Sequence, residues 1–213
     1  MSRIDWHLIF RVADHLEIET RQYPRAFFEQ SENPKYNVNP VSINNNIIVR
    51  SEYPEDRAAI RFVNEEAFSR GDEADLVDGL RNQGVVLVSF VAEIEERVVG
   101  HILFSRMSIE ASGRAGSVPA VALAPLAVLP EQQGKGIGGK LIKHGLCWLR
   151  EEGEQVVIVL GRPTYYSRFG FSTDRASALA SPFPPEAFMA LELSPGALDG
   201  IHGKVRYPEA FGI

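Results

Sequence analysis

The chain has 213 residues, of which 45% are hydrophobic and 23% charged, and its formal net charge is −6. This length and composition suit one globular domain with a hydrophobic core, together with a short appendage. The negative charge argues against nucleic acid and anionic membranes as partners, because both attract basic surfaces.

Cysteine and histidine usage excludes further classes of protein. Cys147 is the only cysteine, so the chain forms no internal disulfide and is typical of a reducing, cytoplasmic compartment. No cysteines and histidines cluster at zinc-ligand spacing, so we expect no metal site. No apolar run reaches membrane-spanning length, and Asp5 and His7 stand where a signal peptide needs apolar residues.

Residues 1–46 differ in composition from the rest of the chain. Residues 6–18 predict a short helix, and a segment with three prolines and three consecutive asparagines follows it. Two interpretations stay open, a partner-binding arm and a poorly ordered extension, and the composition favours the extension. The folded domain is predicted to span residues 47–213.

Hydrophobic periodicity predicts a mixed α/β sheet in that domain. A β-hairpin precedes a strand–turn–helix–strand unit, whose two strands must be parallel. This order differs from that of a purely parallel Rossmann domain. The predicted elements are a strand at 47–50, a helix from 54 to 71, a helix at 73–81, strands at 85–94 and 98–109, a loop at 112–116, a strand at 123–129, a helix from 137 to 153 and a strand at 156–160.

The most informative stretch joins the strand at 123–129 to the following helix through a glycine-rich turn at 133–138. Glycine permits positive φ and leaves no Cβ to block a ligand. The first N–H groups of the helix have no helical partner, and the helix dipole favours negative charge there. The arrangement therefore predicts a phosphate-binding site.

Two common phosphate-binding motifs match this turn only in part. Gly134, Gly136 and Gly139 fit the dinucleotide pattern G-x-G-x-x-G. The turn does not follow its strand directly, however, and the strand at 156–160 ends without the acidic residue that binds a ribose. The P-loop pattern fails at Leu141, where a hydroxyl would hold Mg²⁺.

A third interpretation accounts for more of the sequence. Gln133, Gly136 and Gly138 form a Q-x-x-G-x-G motif that resembles the pyrophosphate loop of the GNAT acetyltransferase superfamily. The preceding residues 126–131, with sequence LAVLPE, resemble the strand end of the same family.

A second motif supports this resemblance. Tyr166, Gly170 and Phe171 form a Y-x-x-x-G-F element, at the separation from the first motif that the family shows. The chain is similar to the YhbS-type branch of predicted N-acetyltransferases over about residues 47–213. The similar stretches outside the first motif are residues 159–171, 183–189 and 203–208.

The resemblance implies a fold and an activity. The fold is a mixed, mostly antiparallel α/β (α+β) sheet flanked by helices, in which a central pair of parallel strands splays apart. The activity is direct transfer of acetyl from acetyl-CoA, as cosubstrate, to a primary amine in a ternary complex. The residues implied to bind acetyl-CoA are Leu126, Ala127, Val128, Gln133, Gly134, Lys135, Gly136, Ile137 and Gly138.

The chemistry of transfer needs an oxyanion donor and an acid. The thioester would lie along residues 126–128, where Pro125 predicts a bulge or a broken ladder that frees backbone N–H groups. Tyr166 would protonate the departing thiolate, since a phenol is protonated at neutral pH. Its neighbour Tyr165 is interpreted as a packing aromatic.

The base and the acceptor are less determined. Glu73, Glu93 and His101 are candidate bases, and water is an alternative for this step. The acceptor is a small-molecule or protein amine in a pocket formed by residues 69–75 and 181–185. A homodimer is compatible with the resemblance. Two other functions remain open, a non-catalytic acetyl-CoA-binding regulatory module and an NADP-dependent oxidoreductase.

Overall fold

The computed structural model describes residues 47–113 and 116–213. The first 46 residues, with their predicted short helix and arm, lie outside the described residues. The domain boundary at that position therefore stays a prediction. Within the described ranges, no helix is both long and apolar enough to cross a bilayer.

The described chain forms one sheet of eight strands, with helices on its faces. Short 3-10 turns at Pro54–Asp56, Pro130–Gln132, Ser167–Phe169 and Glu209–Phe211 connect some of the elements. The helices and strands are β1 (Ile48–Ser51), α1 (Arg57–Phe68), α2 (Asp72–Asn82), β2 (Val86–Ile94), β3 (Arg97–Ala111), β4 (Ser117–Val128), α3 (Ile137–Glu151), β5 (Val156–Leu160), α4 (Pro163–Tyr166), α5 (Thr173–Ala176), β6 (Leu179–Ala180), β7 (Phe188–Glu192) and β8 (Gly203–Arg206).

The sheet is mixed, as predicted. Strands β1 to β4 pair antiparallel in sequence order, β4 pairs parallel with β5, and β5 pairs antiparallel with β7. Strand β4 begins at Ser117, six residues before the predicted start at Leu123. The first half of the strand was missed because it contains Pro119, and proline is rare inside strands. The proline is tolerated because β4 pairs there with β3 alone.

The parallel pair β4–β5 is short. Only Val121 with Val157 and Ala122 with Ile158 are in register, although β4 continues to Val128. On its other side β4 stays paired with β3, across a register shift opposite the segment that contains Pro125. The structure therefore has a bulge at this proline, one of the two predicted alternatives, and the two central strands are unpaired from Leu123 onward.

Helix α3 covers the sheet with a stripe of buried side chains. Ile137, Leu141 and Leu149 are each at most 1% exposed. Gly145 interrupts the stripe because a Cβ at this position would stand 2.2 Å from the ring of Phe104. The helix consequently lies close to the strands and fixes the position of its own N-terminus.

A buried polar cluster ties α1 to the sheet. The Asn64 amide nitrogen donates to His101 Nδ1 at 3.1 Å, so the other ring nitrogen carries the proton and donates to Ser89 Oγ at 3.0 Å. Burial, aided by the charge of Arg81, lowers the pKa of His101 to about 3. His101 is consequently neutral in the folded protein.

The buried histidine predicts a pH-dependent stability. The folded-state pKa of His101 lies below its ordinary value of 6.5, so the unfolded chain takes up the proton first. The stabilisation is present above pH 6.5 and is lost as the pH falls toward 3. Between pH 7.5 and pH 5 the free energy of unfolding should fall by about 2 kcal/mol from this residue.

Urea denaturation across this pH range measures the effect. His101→Gln should flatten the slope between pH 7.5 and 5, even if its stability at pH 7.5 is lower. The control is His202→Gln, at an exposed position, which should keep the slope of the parent protein. An unchanged slope in His101→Gln would show that His101 is not the titrating group.

Candidate active site

A cleft opens where β4 and β5 separate. It encloses about 980 Å³, counting its open mouth. Strand β4 and the start of α3 form one wall, and α4 with the end of β5 forms the opposite wall. The lining residues are Phe68, Glu73, Leu76, Leu123, Ala124, Pro125, Leu126, Val128, Gln133, Gly138, Leu160, Gly161, Arg162, Tyr165, Tyr166, Phe183 and Phe211.

The predicted phosphate loop lies at the rim of this cleft. Gly134 and Gly136 have φ of +75° and +79°, and a Cβ at either position would meet no atom within 4 Å. The Gln133 side chain donates to the Val128 carbonyl at 3.0 Å, which ties the loop to the end of β4. The first turn of α3 contains no acidic residue, so its free N–H groups and dipole suit an anion.

The strand contributes backbone donors to the opening. The Leu129 N–H donates to the Val99 carbonyl, so the antiparallel alternation directs the Ala127 N–H toward β3. The same alternation directs the N–H groups of Leu126 and Val128 away from β3, into the space that β5 vacates. These two groups are suited to bind a polar chain lying in the cleft.

The predicted cofactor residues fall into two groups. Leu126, Val128, Gln133 and Gly138 line the cleft. The other five do not line it. Ala127 and Ile137 are buried side chains, Gly134 and Gly136 shape the turn, and Lys135 Nζ donates to the Glu131 carbonyl and to Gln132 Oε1 at 3.0 and 2.9 Å.

Gly138 has a role that sequence reasoning missed. A Cβ on Gly138 would stand 2.6 Å from the Tyr165 hydroxyl oxygen. The missing side chain therefore admits this hydroxyl to the first turn of α3, beside the loop. Tyr165 thus packs α4 against the start of α3, next to the loop, as well as against its aromatic neighbours.

Tyr166 lies in the same cleft with a different environment. Its ring packs on Gly161, where a Cβ would approach a ring carbon to 2.3 Å, and it makes a T-shaped contact with Phe171 at 5.8 Å. Burial raises the pKa of Tyr166 above its ordinary value of 10. Burial also raises the pKa of Tyr165, to about 12. Both phenols are protonated at neutral pH.

The structure separates the three candidate bases. Glu73 lines the cleft, is 3% exposed, and accepts hydrogen bonds from Arg70 at both carboxylate oxygens. Glu93 instead pairs with Arg50 outside the cleft, and His101 is enclosed by the α1 contact described above. Glu73 is therefore the one of the three that can meet a bound substrate.

The cleft also contains residues that no local motif marked. Arg162 and Phe211 both line it. Phe211 belongs to the last 3-10 turn, far along the chain from both motifs, and only the tertiary fold brings it to the cleft. Arg162 directly precedes α4, which ends at Tyr166, and it lies in the similar stretch 159–171, where the sequence assigned it no role.

The family sequence model described as "Acetyltransferase (GNAT) domain" matches residues 50–173, more than half of the chain. The chain belongs to the GNAT acetyltransferase family. It is therefore an acyltransferase by family. Both motifs and the splayed strands lie within the matched residues.

Relatives in Escherichia coli strain K12 agree with this assignment. The "uncharacterized N-acetyltransferase YjhQ" is 43% identical over 136 residues, which cover 62% of this chain and 74% of that protein. The "uncharacterized N-acetyltransferase YhbS" is 34% identical over 168 residues, which cover 78% of this chain and 98% of that protein.

Solved GNAT structures share the fold. E. coli YhbS, crystallised with CoA, superposes with a TM-score of 0.74 at 32% identity, covering 84% of this chain and 97% of that chain. A GNAT acetyltransferase from Brucella melitensis, crystallised with acetyl-CoA, gives a TM-score of 0.64 at 37% identity, covering 79% and 99%. The YhbS-type resemblance and the fold class inferred from the sequence are both confirmed.

The contact between Gly138 and Tyr165 predicts a double-mutant cycle. Gly138→Ala should destabilise the protein by about 1–2 kcal/mol, because the new methyl group meets the Tyr165 hydroxyl. In a Tyr165→Phe background the nearest remaining atom of that ring lies 3.8 Å away, so the cost should largely disappear.

The matched control is Gly139→Ala, in the same helix turn, whose Cβ would lie 3.6 Å from Phe169, an ordinary contact. It gains the same helix propensity as Gly138→Ala without the clash. Thermal and urea unfolding of the variants measure the cycle. Equal effects of Gly138→Ala in both backgrounds would rule out the contact as their cause.

Proposed function

We propose that this GNAT protein transfers the acetyl group of acetyl-CoA to a primary amine by direct attack in a ternary complex. The observation that carries the proposal is the opening between β4 and β5, with a phosphate-type helix N-terminus at one end and Tyr166 in its wall. Two similar proteins were crystallised with CoA and with acetyl-CoA, which supports acetyl-CoA as the donor.

The donor is held mainly by backbone groups. The pyrophosphate rests on the N–H groups of residues 133–138, where Gly134 and Gly136 leave open space beside the chain. The amide-containing arm of the donor follows Leu126 to Val128, whose outward N–H groups β5 leaves unpaired. One of these N–H groups binds the thioester carbonyl and stabilises negative charge on its oxygen during the reaction.

The transfer conserves atoms and charge without a further reagent. The amine nitrogen attacks the carbonyl carbon, so a C–N bond forms and the C–S bond breaks. The electron pair of the broken bond leaves on sulfur, and the Tyr166 hydroxyl supplies the proton that converts thiolate to thiol. Glu73, directly or through water, accepts the proton that the attacking nitrogen loses, and exchange with solvent then removes this proton from Glu73 and returns one to the Tyr166 phenolate.

Burial of Tyr166 is compatible with this role. A raised pKa keeps the phenol protonated but makes it a weaker acid. The same desolvation also raises the basicity of the thiolate formed beside it, because burial penalises both anions. The proton transfer is therefore less unfavourable than the phenol pKa alone suggests.

Substitution of Tyr166 tests the assignment. Tyr166→Phe keeps the ring and its packing but removes the proton, so kcat should fall by about 10²-fold while the affinity for acetyl-CoA changes little. Thiol release under single-turnover conditions measures the chemical step, and calorimetry measures the affinity.

Tyr165→Phe is the matched control, one residue away in the same helix. It should leave kcat within a few-fold of the parent. Any effect of this variant should be on the affinity for acetyl-CoA, because Tyr165 contacts Gly138 beside the phosphate loop. Retention of the parent kcat by Tyr166→Phe would move the acid elsewhere. Acetyl-CoA binding without turnover of any amine would favour the non-catalytic module.

A further inference from the structure

The acceptor end of the cleft has an aromatic wall. Three phenylalanines form this wall. Phe68 is the last residue of α1, Phe183 lies in the loop before β7, and Phe211 belongs to the last 3-10 turn. Tyr207 connects two of them by ring contacts, at 5.5 Å to Phe183 and 4.9 Å to Phe211. These segments are far apart in sequence, and the tertiary fold brings them together here.

The same end carries few charged groups. Glu73 is the one acidic side chain among the described residues that line the cleft, and Arg162 is the one basic side chain. Arg70 bonds both oxygens of Glu73 and lies 3.9 Å from Asp72, so these three side chains together carry one net negative charge, and Glu73 is the one of them that lines the cleft. A single ammonium group can pair with its carboxylate.

We propose that the acceptor is a primary monoamine carried on an uncharged, apolar body about the size of an aromatic ring. This inference rests on the proposed acetyl transfer and names its substrate class. The amine end lies at Glu73, and the apolar body lies against Phe68, Phe183 and Leu76. A body of this kind gains free energy from leaving water, whereas a polar body would lose its hydrogen bonds there.

The wall disfavours the other common classes of amine. A second ammonium, as in a polyamine or an aminoglycoside, would lie against apolar rings or next to the like charge of Arg162, and both surroundings are unfavourable for a cation. A peptide N-terminus would bring backbone amides to a surface that offers few polar partners. An α-amino acid would bring its own carboxylate next to Glu73.

An amine panel tests the substrate class with the full-length protein. Thiol release is measured with phenethylamine, ethylamine, phenylalanine, spermidine, kanamycin and a peptide with a free N-terminus. The expected result is a kcat/KM for phenethylamine about 10²-fold above that for ethylamine. It should also exceed the values for phenylalanine, spermidine, kanamycin and the peptide. Phenethylamine shares the amine of ethylamine and differs by the ring alone.

Two outcomes overturn the inference in different ways. A higher kcat/KM for spermidine, kanamycin, phenylalanine or the peptide refutes the substrate class and leaves the acetyl transfer standing. Turnover of no amine, with acetyl-CoA bound, refutes the transfer and this inference together.

A variant pair locates the preference in the wall. Phe183→Ala should raise KM for phenethylamine about 10-fold or more and lower the ratio of kcat/KM for phenethylamine to that for ethylamine by a similar factor. Phe62→Ala, at a phenylalanine that is 47% exposed and outside the cleft, should change neither value. Equal losses for both amines in Phe183→Ala would show that the ring does not select the body of the acceptor. Phe183→Leu, which keeps an apolar side chain, guards against a folding defect.

Discussion

Backbone pairing between β4 and β5 stops after Val121–Val157 and Ala122–Ile158, and the rest of the site depends on this interruption. If the pairing continued along β4, the N–H groups of Leu126 and Val128 would form backbone hydrogen bonds across the strands and no cleft would exist. Instead β4 keeps its ladder with β3 on one side and leaves its other side open. The register shift at Pro125 accommodates this change within the strand.

The interruption is held open by close aromatic packing at two glycines. Gly138 admits the hydroxyl of Tyr165 and Gly161 admits the ring of Tyr166, at distances that any Cβ would prevent. The two rings also contact each other at 5.1 Å in a T-shaped arrangement. The wall that contains Tyr166, the proposed acid, therefore packs against both the phosphate end of the cleft and the end of β5.

Local sequence predicted the parts of the site that depend on local structure. The strand–loop–helix unit and the positive φ at Gly136 both follow from residues a few positions apart. The family resemblance supplied their roles. The glycine at 138 was also singled out, but its tyrosine partner could not be found, since the two meet only through the tertiary fold.

The choice of base on the acceptor side could not be made from the sequence, for a physical reason. Alternation along β2 and β3 shows that successive side chains face opposite sides, but not which side carries the cleft. Glu93 and His101 were therefore as plausible as Glu73 until α1 was seen to enclose His101. Phe211 is in the last turn of the chain, where no motif marks it.

Residue-resolved amide hydrogen exchange, with acetyl-CoA or NADP added, measures whether the donor lies along the open side of β4. Acetyl-CoA should slow exchange at Leu126 and Val128 and in the turn at Gly136, while Ala127, already paired to β3, changes little and NADP has no effect. Protection of the turn by NADP and not by acetyl-CoA, or unchanged exchange at Leu126 and Val128 with acetyl-CoA bound, would refute this arrangement.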